Sequence, residues 1–183
     1  MDKKGKMVFF MNALRNPITG SIVPSQKFLI NKLVSPIGER ESKLIVELGT
    51  GSGCVTKKIL ERRKRNCRVL SFEINRELAS MTAQKIKADK FRIINDDAAN
   101  LLKYMPKESA DFIISSLPLG NLKKEKVMSI LSAVKDCLKE GGVYMQYQYL
   151  LADFSKIRRV FPRVKIGYAL LNFPPAFVYR CVK

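Results

Sequence analysis

From about residue 43 the chain alternates short apolar runs with longer stretches whose apolar positions recur at helical spacing. Runs of strand length fall at 44–48, 69–72, 91–94, 112–115 and 143–149, with helical segments at 54–65, 76–87, 98–104 and 123–138 between them. These runs are continuously apolar instead of alternating, so both faces of each strand need cover. That predicts a parallel sheet with helices on either side. Gly141-Gly142 reads as the end of the fourth helix, since glycine is favoured just past a helix C-terminus. A short helix near 153–160 and strands at 164–169 and 176–182 follow, the last two joined closely enough for an antiparallel return. Residues 1–40 are punctuated differently, by Pro17, Gly20, Pro24 and Pro36, around helices near 6–14 and 25–34. The expected organisation is therefore a helical appendage, 1–40, on an α/β domain, 41–183.

Length fits a single domain, 183 residues. Charge narrows the partners: 34 Lys and Arg against 16 Asp and Glu leave +18, which favours a polyanion, either nucleic acid or an anionic membrane surface. The chain holds no His, which excludes a Ser-His-Asp triad and histidine general bases, and no metal site is expected. Cys54, Cys67, Cys137 and Cys181 form no CxxC pair and read as reduced structural thiols of a cytoplasmic protein. The longest charge-free stretch, 166–179, is 14 residues and is broken by Pro174 and Pro175, too short for a membrane span. The basic start before Met7 faintly imitates a secretory leader but lacks a small-residue cleavage site, so it is expected to belong to the working protein.

Chemistry concentrates first at Glu47-Leu48-Gly49-Thr50-Gly51-Ser52-Gly53, between a predicted strand and a predicted helix. Glycines there let the backbone approach a ligand that a Cβ would repel, and the helix start favours a carboxylate or phosphate. Glu73 ends the second strand 20 residues after Gly53, where an acid can grip ribose hydroxyls. A structural turn and a dinucleotide site are the competing readings. The dinucleotide pattern fails at its third glycine, where Cys54 or Thr56 stands.

The Glu-x-Gly-x-Gly-x-Gly string resembles the first motif of class I S-adenosylmethionine methyltransferases. Glu73 resembles their ribose-binding acid, and Asn95-Asp96-Asp97-Ala98 is similar to their Gly-Asp-Ala, with Asp96 in place of the glycine. The resemblance implies a Rossmann-like, mostly parallel seven-stranded sheet of order 3-2-1-4-5-7-6 and S-adenosyl-L-methionine as cofactor. It implies a cofactor site made of Ser25, Glu47, Gly49, Thr50, Gly51, Gly53, Glu73, Ile74, Asp97, Ala98 and Ser115.

Four further strings, 16–26 (NPITGSIVPSQ), 115–119 (SSLPL), 146–149 (QYQY) and 171–180 (LNFPPAFVYR), resemble those of bacterial phosphatidylethanolamine-type phospholipid N-methyltransferases. Ser116 replaces that family's glycine, and Tyr147-Gln148 replaces its Phe-Thr. This resemblance implies methyl transfer to the amine of phosphatidylethanolamine or its methylated derivatives, with Tyr149, Tyr147, Ser116, Leu117 and Pro118 around the acceptor. The alternative is a ribosomal RNA adenine N-methyltransferase. Gln26-Lys27-Phe28-Leu29 resembles that family's opening, but Ser116 and Leu119 stand where its base-binding Asn and aromatic residue would be. A further alternative is a catalytically decayed membrane-binding protein.

Met7, Phe10, Met11 and Leu14 make one apolar helical stripe flanked by lysines, as in interfacial helices, though a helix packed on the core has the same pattern. Basic clusters at 57–68, 123–126 and 156–165 suit an anionic leaflet, and equally RNA phosphates. Peripheral association with the inner face of the membrane is the resulting expectation. Without histidine, a Tyr, a carboxylate, water or a lipid phosphate must take the acceptor's proton. Tyr147 and Tyr149 lie on one face of the fifth strand and Gln146 and Gln148 on the other. Which face meets the site is open at this stage.

Overall fold

The computed structural model describes residues 24–170 and 175–183. The Met7/Phe10/Met11/Leu14 stripe, most of the 16–26 string and residues 171–174 of the C-terminal string lie outside the described residues, as does the side chain of Ser25.

Helix α1 (Pro24–Leu33) precedes a seven-stranded sheet: β1 (Leu44–Leu48), β2 (Arg68–Phe72), β3 (Phe91–Ile94), β4 (Ala110–Ser115), β5 (Leu138–Gln148), β6 (Arg163–Ala169) and β7 (Ala176–Val182). Between the strands run α2 (Cys54–Arg62), α3 (Arg76–Lys85), α4 (Lys124–Cys137) and α5 (Phe154–Val160), with 3-10 turns at Ala98–Lys103, Leu119–Asn121 and Leu151–Asp153. The sheet order is β3-β2-β1-β4-β5-β7-β6, as the resemblance implies. Strands β1 to β5 pair in parallel, and β7 pairs antiparallel with both β5 and β6.

Period two explains the unbroken apolar runs. Leu44, Val46 and Leu48 bury one face of β1 with Val127, Leu131 and Val134 of α4. Ile45 enters the other layer with Val69, Phe112, Ile59 of α2, and Leu29 and Leu33 of α1. The described part of residues 1–40 thus contributes to that second layer, where Val34 and Ile37 are buried too.

Gly141-Gly142 does not end a helix. Helix α4 stops at Cys137, β5 starts at Leu138, and the glycines sit inside the strand. There the β4–β5 register jumps from Ala110↔Leu138 to Phe112↔Val143, a bulge with Gly141 at φ +70°. A Cβ on Gly142 would lie 2.7 Å from the Lys139 carbonyl oxygen, so the bulge itself demands glycine. The helix expected at 98–104 is instead a 3-10 turn, kinked at Asn100 (φ −94°, ψ 15°).

Candidate active site

All parallel strands end on one edge of the sheet, and the loops after β1, β2, β3 and β4 meet there. Gly49, Gly51 and Gly53 have φ of +82°, +52° and +83°, a left-handed path that carries the chain from β1 into α2. The loop is pinned from several sides. Gly49 N and Thr50 N both donate to the Phe72 carbonyl, at 2.9 and 3.2 Å. Gly51 N donates to Glu73 Oε2 at 2.9 Å, while Thr82 Oγ1 donates to the Gly51 carbonyl at 3.0 Å. Glu73 Oε1 accepts from Asn75 N at 3.0 Å, so this carboxylate braces the start of α3 as well.

Glu47 lies beneath the loop and is fully buried. Its Oε2 accepts from Thr56 Oγ1 at 2.7 Å and Ser71 Oγ at 2.6 Å, whereas Oε1 is buried with no hydrogen-bond partner. Burial pushes this carboxyl from 4.5 up to about 7, against the opposing effect of the two hydroxyls. Between those two values the folded chain holds a proton that the unfolded chain has released, so Glu47's contribution to stability falls as pH rises through this window. The total is on the order of 3 kcal/mol. Urea midpoints of Glu47→Gln and the parent chain should therefore diverge from about pH 5 to about pH 8, with the variant's profile the flatter. Parallel profiles would remove the carboxyl as the cause.

Two pockets flank Gly49. The first, about 190 Å³, is lined by Glu73, Ile74, Asp96, Asp97, Ala98, Leu117, Pro118 and Lys126, among others. Asp97 Oδ1 caps the 3-10 turn by accepting from Ala99 N at 2.8 Å, and its Oδ2 is paired with Lys126. Sequence reasoning placed Lys126 in a basic cluster and did not find this pairing, which spans 29 positions and leaves no local signal. Asp96, in the place of the expected glycine, accepts from Asp97 N (2.7 Å), Asn100 Nδ2 (2.8 Å) and Tyr104 OH (2.7 Å), and these bonds hold its carboxyl down to about 2. Asn95 Nδ2 donates to the carbonyls of Glu73 and Ile74, fixing the loop that presents both residues. Ile74 is largely exposed beside this pocket.

The second pocket, about 130 Å³, is lined by Gln26, Leu29, Ile30 and Leu33 of α1, by Gly49, Thr50, Gly51, Ser52 and Cys54, and by Val55, Leu78, Ser116, Tyr147 and Tyr149. The open question about β5 is thereby answered. Tyr147 and Tyr149 face this pocket, their rings edge to face at 5.8 Å and 81°. Gln146 Nε2 and Gln148 Nε2 instead donate to the Leu117 carbonyl, at 3.0 and 3.1 Å. Tyr144 OH completes the network by donating to Gln146 Oε1 at 2.7 Å. The turn 115–119 is thus held by the glutamine face while the tyrosine face stays at the cavity.

Ser116 Oγ donates to the Gly49 carbonyl at 2.5 Å, tying this turn to the glycine loop. Ser115 is buried, its Oγ accepting from Leu117 N at 3.3 Å, and neither it nor Glu47 lines the two pockets. Cys54 is half-buried and accepts from Ser52 Oγ at 3.2 Å. Cys67, Cys137 and Cys181 are buried free thiols, the last pushed up to about 12 by desolvation.

The cradle fits a nucleoside-bearing cofactor on its own geometry. A Cβ built on Gly51 meets nothing within 4 Å, so the space over the loop is open at the position where the glycine is required. Carboxylates stand at the first pocket for hydroxyls and an amine, and half-buried apolar side chains stand ready for a base.

A family model described as "Methyltransferase domain" matches residues 45–142. An ornithine lipid N-methyltransferase of Singulisphaera acidiphila is 29% identical over 166 residues, covering 88% of this chain and 86% of that protein. A ribosomal RNA small subunit methyltransferase A of Mesomycoplasma hyopneumoniae is 33% identical over 169 residues, covering 79% of this chain but 63% of that protein. Among solved structures, the N-methyltransferase NodS of Bradyrhizobium japonicum with bound S-adenosyl-L-homocysteine shares the fold at a TM-score of 0.70 and 12% identity, over 87% of this chain and 88% of that one. Glycine loop, distal acid, strand order and family match converge: this chain belongs to the methyltransferase domain family, as a class I enzyme that uses S-adenosylmethionine.

Proposed function

We propose that the protein methylates the amine of a membrane lipid, phosphatidylethanolamine or its methylated derivatives. The observation that carries this reading is the second pocket. Among the described residues that line it there are two tyrosine rings, amide and hydroxyl groups and a wall of aliphatic side chains, but no Asp, Glu, Lys or Arg. Such a lining suits an amine or a methylated ammonium, which aromatic faces attract. An anionic headgroup would find no cation inside.

Bound S-adenosylmethionine supplies an electrophilic methyl group. Glu73, Asp97 and the glycine loop would hold the donor, in the first pocket and over Gly49 and Gly51 where the two pockets meet. Tyr147 and Tyr149 orient the acceptor nitrogen from the opposite wall. Ser116, Leu117 and Pro118 form the hinge between the pockets, and the Gln146 and Gln148 bonds to the Leu117 carbonyl keep that hinge in place. An ammonium must lose a proton before it can attack, and no carboxylate among the described lining residues takes it. Water, a tyrosine hydroxyl or the lipid phosphate is left as acceptor. Alignment of the two reactants then supplies much of the rate.

Support for a lipid acceptor also comes from the ornithine lipid N-methyltransferase relative, which matches most of the chain. An RNA acceptor is disfavoured by two positions. Leu119 is fully buried, so no side chain there can stack on a flipped base, and the Ser116 hydroxyl is spent on the Gly49 carbonyl. Among the described residues no helix is long and apolar enough to cross a membrane.

One incubation tests the reading: labelled S-adenosylmethionine, phosphatidylethanolamine vesicles, ornithine lipid vesicles and purified ribosomal RNA. Label is expected in phosphatidylethanolamine. Label in ornithine lipid alone would move the acceptor to another lipid amine, and label in RNA alone would overturn the proposal.

A further inference from the structure

Among the described residues, apolar exposure is concentrated at the mouth of the acceptor pocket. Phe28, Leu150, Leu151, Tyr168 and Leu170 are each between 47% and 73% exposed. Of the other exposed apolar side chains, Ile74 belongs to the cofactor pocket, and Met81, Leu102 and Tyr104 reach 42% at most. The sheet brings the five together. Gln148 and Tyr168 both lie opposite Phe177, on β5 and β6 respectively, so Leu150, Leu151 and Leu170 leave the same end of the sheet, on either side of β7. Lys32 Nζ donates to the Tyr168 carbonyl at 2.8 Å, which places Phe28, one helical turn earlier on α1, beside the same corner. Tyr149, inside the pocket, is the immediate neighbour of Leu150 on its rim.

The charged side chains on the segments that border this rim are mostly basic. Segments 24–34 and 148–160, on α1 and from the end of β5 through α5, hold Lys27, Lys32, Lys156, Arg158 and Arg159 and a single acid, Asp153. That acid is buried and paired with Lys156 at 2.6 Å, so it exposes no negative charge at the rim. The cations of β6 and β7 run away from the rim, Arg180 pairing with Glu39 and Lys183 with Glu108. An apolar ridge within a cationic border fits an interface that is anionic outside and hydrocarbon within.

We infer that this rim is the surface by which the protein docks onto an anionic lipid bilayer, with Leu150, Leu151 and Leu170 inserted among the headgroups and the acceptor pocket opening directly onto them. The inference rests on the lipid-amine reading, and it adds where the bilayer sits. Docking there lets an amine enter from the membrane side while its acyl chains remain in the bilayer.

The full chain and its Leu150→Ser/Leu151→Ser/Leu170→Ser variant are floated with vesicles of phosphatidylcholine and phosphatidylglycerol. Calorimetric affinity for S-adenosylmethionine reports that each is folded. The variant should lose vesicle binding by about tenfold or more while keeping its cofactor affinity. A Met81→Ser/Leu102→Ser variant, which removes exposed apolar surface elsewhere, should bind vesicles like the parent. Equal flotation of the parent and the triple variant would overturn the inference. So would a change in sedimentation with flotation intact, which would make the rim a contact between copies of this chain. Methylation of short-chain phosphatidylethanolamine, monomeric in solution, is measured in parallel. If the parent methylates it and the triple variant floats normally, the rim is wrong and the acceptor right. No methylation of any lipid by the parent would defeat the acceptor reading itself.

Discussion

Gly51→Val should abolish S-adenosylmethionine binding, with calorimetric affinity falling at least about a hundredfold, while the chain still folds. The two halves of this expectation have separate causes. The backbone at Gly51 lies at φ +52°, where a side chain costs about 1–2 kcal/mol, or a few degrees of Tm. Beyond Gly51 and its two chain neighbours, no protein atom stands within 4 Å of the point a Cβ would occupy there, so the fold itself offers no clash, and the added methyls project into the space over the loop. Gly53 behaves oppositely. Its Cβ would lie 2.8 Å from Ile86 Cδ1 and 3.0 Å from Thr82 Cγ2, so Gly53→Ala should act chiefly on stability, by displacing α3 from the loop. Gly49 is intermediate, its Cβ meeting Ser116 Oγ at 3.0 Å and Leu117 Cδ2 at 3.2 Å. Comparing melting temperature with affinity across Gly51→Val and Gly53→Ala separates the two causes. Undiminished affinity in Gly51→Val would remove the loop from the cofactor site.

Those glycines were readable because their requirement is local: a turn between an apolar strand and a helix. The strands were readable for a similar reason, since unbroken runs such as 44–46 admit only burial on both faces. Gly141-Gly142 misled because a glycine pair is compatible with both a helix end and a strand bulge. The choice between them is made by the β4 register and by Lys183, whose N–H donates to the Gly142 carbonyl at 3.1 Å. Long-range polar partners were illegible. Nothing in the string 115–119 announces that Ser116 would bond to the Gly49 carbonyl, or that Asp97 would meet Lys126. Glu47 shows the same limit: its place in the glycine motif was plain, but its partners Thr56 and Ser71 come from α2 and β2. Alternation along 146–149 separated tyrosines from glutamines without saying which set faced the pocket, because both faces of β5 are covered.

That division of β5 yields the second large effect. Tyr149→Ala should lower turnover on lipid by roughly 5- to 30-fold, the equivalent of a cation–π contact of about 1–2 kcal/mol in a partly desolvated site. Cofactor affinity should stay within about twofold, because Tyr149 is on β5, whereas Glu73, Asp97 and the glycine loop, which borders both pockets, are carried by other elements. Tyr147→Ala should cost less, since only Tyr149 matches the phospholipid methyltransferase string in both type and position. The hydroxyl is a separate question, and Tyr149→Phe isolates it by keeping the ring face. If that variant retains most of the turnover, the ring orients the ammonium and the proton leaves to water or the lipid phosphate. If turnover falls as far as in Tyr149→Ala and its pH dependence shifts, the phenol oxygen takes part in removing the proton. Full activity in Tyr149→Ala would remove this face of β5 from the acceptor site, and the glutamine network would then be no more than a brace for the turn at 115–119.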